Sequence, residues 1–268
     1  MSAVLRLSAR NAWVNRGRSA MTVLAVVLSV GFMGAVLMLS GGLSSQSDSG
    51  VSAAYQNVSF VVHGQKILSN PPGEFITQSG APVPAAALHA VRAVPGVSAA
   101  EGLRSGYAVL ERADGSVIGH PGTGGGVGQS WLGASPLNPY RLLAGHAPVT
   151  AGQVALDRAA ATASGVSIGQ HLTLVTATGH HPVTVTGIVG YGSADGPFDT
   201  TAVLLPASTA QSLLGVTDSY DQILVSASPG AQSALARALA PYNAQVQTGA
   251  AFAAAQHSAI ASTLSFGR

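Results

Sequence analysis

No cysteine occurs among the 268 residues. Disulfides, thiolate metal sites and cysteine nucleophilic catalysis are therefore excluded, and a domain of this size can bury enough core to fold without cross-links. Charge is scarce too. Only 8% of residues are Asp, Glu, Lys or Arg, and Lys66 is the single lysine. Aromatics make up 5%, so the mean hydropathy of +0.37 rests on Ala, Val, Leu and Gly. The few charges are unevenly placed. Arg6, Arg10, Arg16 and Arg18 come first, with no acid among them, and the other eight basic and all ten acidic residues lie beyond residue 40. The pI of 9.2 thus reflects one basic end rather than a basic surface, and no nucleic-acid partner is expected.

One long apolar run is present, and there is no second. From Ser19 to Ser47 no residue is charged, and Met21–Leu39 is almost wholly apolar. Such a run, at about 1.5 Å per residue, spans about 29 Å as a helix, close to the hydrocarbon thickness of a bilayer. The arginines precede it and Asp48 is the first charge after it, which places the N-terminus in the cytoplasm and the rest outside. A cleaved signal peptide is the rival reading. It calls for an apolar stretch of about 7–15 residues and a small-residue cleavage site, whereas this run is longer and its basic leader extends to residue 18. The reading is an uncleaved anchor at 19–42, preceded by a leader at 1–18. In that leader Leu5, Ala9, Ala12 and Trp13 share one helical face. It reads equally as an amphipathic helix on the membrane surface or as a disordered basic tail.

Beyond a Gly/Ser-rich exit at 41–50, strand and helix periods alternate. The pattern predicts strands at Val58–Val62, Val97–Glu111 and Ser116–His120, the last two around an Ala-Asp-Gly turn. It predicts a helix at Pro84–Val94, stopped by Pro95-Gly96, and a loop over the prolines of 64–82. Pro121–Gly128 reads as a glycine-rich loop. Next come a strand at Gln153–Leu156, a helix capped by Asp157 and stopped by Gly165, and a hairpin of His171–Thr178 with Pro182–Val189 turning at Gly179 and the two histidines. Thr201–Leu205, Ile223–Ala227 and Ala244–Gln247 read as strands. Pro206–Leu214, Gly230–Leu239 and Ala250–Leu264 read as helices. The fold class is α+β: a two-lobed mixed α/β domain over 43–268, with the lobe boundary near 121–150.

Motifs that would carry chemistry fail on context. Gly165-Val166-Ser167-Ile168-Gly169 matches the G-x-S-x-G pattern, but a nucleophile elbow needs strand, turn, helix, and here the order is helix, turn, strand. The stretch at 122–130 lacks the lysine of a phosphate-binding loop. His180 and His181 have no nearby carboxylate or third histidine at ligand spacing and read as a polar hairpin tip, with His171 close in sequence only. Asp195 and Asp199 flank Gly196-Pro197, which is turn chemistry. No catalytic, cofactor or metal residue is assigned, and the protein is not read as an enzyme.

Several stretches carry a resemblance. The leader LRLSARNAWVNRGRSAMTVLAVVLSVGF, the step PGVSAAEG at 95–102, residues 140–192 and LLPASTAQSLLG at 204–215, followed by TGAAF at 248–252, resemble in their order the N-terminal part of an FtsX/MacB-type ABC transporter permease. His146, Gln153 and Gln170 depart from the Arg, Glu and Asp usual in the family. The resemblance implies a first transmembrane helix followed by a MacB-like periplasmic core domain. It also implies a plasma-membrane location, a separate cytoplasmic ABC ATPase and a second permease copy or homologue. The implied function is coupling of ATP hydrolysis to movement of the exterior domain, for export or mechanotransmission. Family members continue through three more transmembrane helices. This chain stops near the start of the expected second one, so it is read as a fragment or truncated product. The alternative is a membrane-anchored extracytoplasmic binding module with no ATPase partner.

Overall fold

The computed structural model describes residues 50–65, 80–119, 125–197 and 200–265. The expected leader at 1–18 and membrane helix at 19–42 lie outside them. Among the described residues no helix is long and apolar enough to cross a membrane.

A helical stretch at residues 50–54 leads to β1 (Phe60–Gly64), β2 (Val83–Pro84), α1 (Ala85–Arg92), β3 (Val97–Leu103), β4 (Ser105–Glu111), β5 (Val117–Ile118) and β6 (Gly126–Ser130). Then follow β7 (Tyr140–Gly145), β8 (Gln153–Asp157), α2 (Arg158–Ser164), β9 (His171–Thr176), β10 (Gly179–Tyr191) and β11 (Thr201–Leu205). The chain finishes with α3 (Ala207–Leu213), β12 (Ser219–Tyr220), β13 (Gln222–Ala227), α4 (Gln232–Leu239), β14 (Ala244–Thr248) and α5 (Gly249–Ser265).

Strand alternation drives the chain from Ser105 onward into a closed barrel. β4 pairs with β6, β6 with β11, β11 with β8, β8 with β10, β10 with β9, and β9 back with β4. Closure leaves these strands no free edges. Alternate residues point inward, so Ala108, Leu110, Val154, Leu156, Leu172, Leu174, Val183, Val185, Val203 and Leu205 meet in one buried core. β11 is buried on both faces because Ala202 and Leu204 pack outward against Tyr140 and Val189. Leu214, just past α3, plugs the interior against Gly128. A Cβ at Gly128 would lie 2.7 Å from both Leu214 Cδ2 and Ala108 Cβ. At Gly126 a Cβ would lie 1.9 Å from the Ala108 carbonyl oxygen. The expected loop at 121–128 is therefore corrected: Gly126–Ser130 is a barrel strand, and its glycines let β4 and β6 close. The sequence hides this because a strand with glycine on one face has no hydrophobic period to read.

The second lobe is an open antiparallel sheet of order β14-β1-β13-β3. One face carries Phe60, Val62, Ala100, Ile223 and Val225 against Ala87, Leu88 and Val91 of α1 and Leu235 and Leu239 of α4. The opposite face presents Val61 and Leu224 to a separate cluster that includes Tyr55, Leu137 and Phe252.

The two lobes are not consecutive in sequence. β3 ends at Leu103, β4 begins at Ser105 in the other sheet, and the chain returns before β13. The lobe boundary expected near 121–150 is thus corrected to two crossings, at 103–105 and 217–222. Residues 126–130 and 140–145 both lie within the sheet of the barrel lobe. The expected single strand Val97–Glu111 is split at Arg104 for the same reason.

Elsewhere local chemistry decides. Asp157 Oδ1 accepts the Ala160 N–H at 2.8 Å to cap α2, and Gly165 ends it at φ +64°. The Asp157 Oδ2 accepts the Ala202 N–H at 2.8 Å, tying the cap to β11. The β4–β5 turn is held by Asp114 Oδ1, which accepts the Ser116 N–H at 2.9 Å.

Candidate functional site

The sequence motifs are dispersed by the fold. Ser167 is exposed in the turn between α2 and β9, where its N–H donates to Gln170 Oε1 at 3.2 Å. The β9–β10 turn falls at residues 177–178, so His180 and His181 are strand residues rather than the tip. His181 contacts Thr178 Oγ1 at 3.1 Å and His171 contacts Thr184 Oγ1 at 3.0 Å. His181 shares parity with the inward Val183 and His171 is opposite in parity to the inward Leu172, so the two rings lie on different faces of the barrel wall. Asp195 pairs with Arg158 at 3.3 Å, while Asp199 lies outside the described residues. Among the described residues no group of three or more His, Asp or Glu side chains is placed to hold a metal.

What the fold assembles instead is a joint. Residues 50–59 meet both lobes and α5 at one place. The helical stretch at 50–54 lies against the turn after β10, at backbone-to-backbone distance. A Cβ at Gly192, where φ is +53°, would sit 2.1 Å from the Gly50 oxygen and 2.7 Å from the Ala54 nitrogen. Arg141 fixes that turn by donating from Nε to the Gly192 oxygen at 2.7 Å and from Nη2 to the Ser193 oxygen at 3.2 Å. Asn57 Nδ2 donates to the Pro136 oxygen at 3.1 Å, a second tie to the barrel lobe.

The same segment grips α5. The Gly249 N–H donates to the Ser59 oxygen at 2.9 Å. A Cβ on Gly249 would lie 1.9 Å from the Val58 oxygen, so this close approach requires glycine. Thr248 Oγ1 accepts the Ala251 N–H at 3.2 Å at the start of the helix. Aromatic rings complete the joint. Tyr55 and Phe252 stack tilted at 5.2 Å, and Tyr140 and Tyr191 at 5.3 Å. Such pairs add about 0.5–1.5 kcal/mol beyond the area they bury. The Tyr55 and Tyr191 hydroxyls are hydrogen-bond partners, linking the two ring pairs. Burial pushes the Tyr55 phenol up to about 12 and those of Tyr140 and Tyr191 well above their ordinary range. All three stay neutral near pH 7, so the cluster packs and hydrogen-bonds and has no proton to exchange.

No sequence signal marked this joint. Tyr55, Tyr140, Tyr191 and Phe252 come from four distant segments, and only the tertiary fold brings them together.

Comparison with known proteins gives the arrangement a family. The chain matches the MacB-like periplasmic core domain family over residues 19–241. A search of curated proteins gives no match. Among solved structures, the periplasmic region of MacB from Actinobacillus actinomycetemcomitans is similar at a TM-score of 0.50 and 15% identity, covering 75% of this chain and 93% of that one. The extracellular domain of YknZ, a noncanonic ABC-type transporter from Gram-positive bacteria, aligns at a TM-score of 0.48 and 15% identity, over 71% and 100% of the two chains. A domain of a permease protein from Porphyromonas gingivalis aligns at 0.43 and 18%, over 73% and 89%. With the family match covering well over half of its length, the chain belongs to the MacB-like periplasmic core domain family, the extracytoplasmic part of FtsX/MacB-type ABC transporter permeases.

Proposed function

We propose that this chain acts as a membrane-spanning permease subunit of an FtsX/MacB-type ABC complex. In this reading, residues 19–42 cross the plasma membrane with the N-terminus in the cytoplasm. A separate cytoplasmic ATPase, working with a second permease copy or homologue, moves that helix. Residues 43–268 are the load it moves, for export or for mechanical signalling. The observation that carries the reading is the joint at residues 50–59, close after the apolar run. This segment packs closely against Gly192 and hydrogen-bonds through Asn57 to the barrel lobe, and it meets α5 through the Ser59 hydrogen bond and the Tyr55 ring contact. A displacement arriving along it would be delivered to both lobes and to α5 together, because none of these contacts has a flexible spacer.

The absence of cysteine makes the topology directly testable. Single thiols at Ser2→Cys and Ser228→Cys are exposed to a membrane-impermeant maleimide in intact cells. The expected result is labelling of the second and not the first. Labelling of Ser228→Cys only after permeabilisation would remove the permease reading. Cross-linking in native membranes, read by mass spectrometry, is expected to recover an ABC ATPase with the chain. Correct topology without any ATPase would instead favour the anchored binding module.

A further inference from the structure

The two crossings between the lobes lie side by side. The Asp221 N–H donates to the Leu103 oxygen at 3.0 Å, so the outgoing and returning chains touch. This crossing is polar, and its polar groups are poorly matched. Arg104 is only 4% exposed. Its Nη1 reaches Ser219 Oγ at 3.3 Å and Asp221 Oδ1 at 3.5 Å, both long for charge-assisted contacts. The better partner of Asp221 is the Ser105 N–H, which donates to Oδ2 at 2.7 Å. Burial lifts the Asp221 carboxyl above its ordinary range against the opposing pull of Ser105 and Arg104.

Three buried side-chain atoms among the described residues lack a hydrogen-bond partner: Arg104 Nε, Gln211 Oε1 and Gln222 Oε1. Arg104 and Gln211 converge on Ser219 at this place, while the Gln222 side chain shares the Leu224 face of the sheet. Arg104 is on the outgoing crossing and Gln222 on the return. Gln211 of α3 reaches across to it, donating from Nε2 to the Ser219 oxygen at 2.9 Å. Each such orphan disfavours the arrangement that buries it. Elsewhere among the described residues the buried side-chain polar atoms have partners, as Asp157 has in the N–H groups of Ala160 and Ala202. Beside the crossing lies an open cleft of about 250 Å³ with walls from both lobes: Ala85 and Tyr220 on one side, Ser208, Gln211 and Ser212 on the other. The apolar cluster that also joins the lobes packs against the opposite face of the open sheet, at Val61 and Leu224.

We propose that the crossing is a hinge. The barrel lobe rocks on the open-sheet lobe about 103–105 and 218–222, with the apolar cluster as fulcrum. The described arrangement is the closed state, and rocking widens the cleft and hydrates Gln211 and the neighbouring Arg104. The orphaned atoms of Arg104 and Gln211 keep the closed state only modestly favoured, since water satisfies them when the cleft widens. The two charged partners act in opposite directions. Removing the Asp221 charge leaves Arg104 buried without compensation and favours opening. Removing Arg104 deletes the buried charge and its orphan while Asp221 keeps the Ser105 N–H, which favours closure.

The full-length chain in detergent tests this. Its lack of cysteine allows single thiols beside the crossing (Ser130→Cys, at the end of β6, whose Oγ accepts the Arg104 N–H at 3.0 Å) and in the two cores (Ala87→Cys in the open-sheet lobe, Ala160→Cys in the barrel lobe). The crossing thiol is expected to react with a maleimide at least about tenfold faster than either core thiol. Adding Asp221→Asn should speed it about tenfold further, and adding Arg104→Met should slow it by a similar factor. Spin labels at Thr162→Cys and Ser233→Cys should give two distance populations whose ratio moves with the same two substitutions. A crossing thiol as slow as the core thiols, both substitutions shifting the rate in one direction, or one narrow distance peak in all three proteins would each overturn the hinge.

Discussion

The barrel lobe and the open-sheet lobe solve the burial problem differently. In the barrel, six strands return on themselves and fill their own interior with Val and Leu side chains. The open sheet has two faces to cover, and only one is covered by its own helices, α1 and α4. The other is covered by Tyr55, Leu137 and Phe252, which come from the incoming segment, the barrel lobe and α5. One lobe is therefore self-sufficient, while the other is completed by the incoming segment, the barrel lobe and α5.

The sharpest way to break that contrast is Phe252→Ala. Phe252 is 2% exposed, and its loss should cost about 3–5 kcal/mol. Amide exchange should rise in β1, β13 and β14 while the barrel strands stay protected. Equal deprotection of both lobes would make the contrast false. The converse is Leu174→Ala inside the barrel, expected to cost about 2–5 kcal/mol with the loss read in β4, β8, β9 and β10.

Alkaline titration probes the joint specifically. Tyr55 is neutral in the folded protein up to about 12, whereas in the unfolded chain it ionises near its ordinary value of 10.0. The folded state therefore holds the proton more tightly. Its stability is fully present below the unfolded value and is lost as pH rises through that window, by roughly 2–3 kcal/mol from this residue. Denaturant midpoints should fall between those pH values in the native protein and fall less in Tyr55→Phe. The smallest expected effect is Tyr191→Phe, which deletes the hydroxyl partnered with Tyr55 and should cost about 1 kcal/mol. It should loosen residues 50–55 without altering the barrel core.

Much of the secondary structure was legible because it is written in short-range rules. Asp157 and Gly165 mark the ends of α2 by side-chain capping and left-handed geometry, and Thr201–Leu205 is bounded as a strand by its own composition. What stayed hidden depends on distant partners. The switch of sheets at Arg104 interrupts a continuous strand pattern and leaves no local mark. β6 is disguised because Gly126 and Gly128 are demanded by Ala108 and Leu214, far away in sequence. β7 was missed because one of its faces lies open, with Leu142 exposed, so its pattern looks like neither a core strand nor a surface one. The joint at residues 50–59 was illegible for the same reason, since its rings meet only after both lobes have formed. The family likeness, in contrast, could be read from the order of loosely matching segments, because that order reflects the succession of elements rather than any one contact.

The insertion of the barrel lobe between β3 and β13 has an evolutionary corollary. Leu103 and Gln222 are paired neighbours in the host sheet, so the guest leaves and returns through a single doorway. A host built this way tolerates replacement, enlargement or shrinkage of its guest without stretching any of its own strands. Variation in length among such proteins is therefore expected to concentrate between those two residues, while the frame around them stays nearly constant.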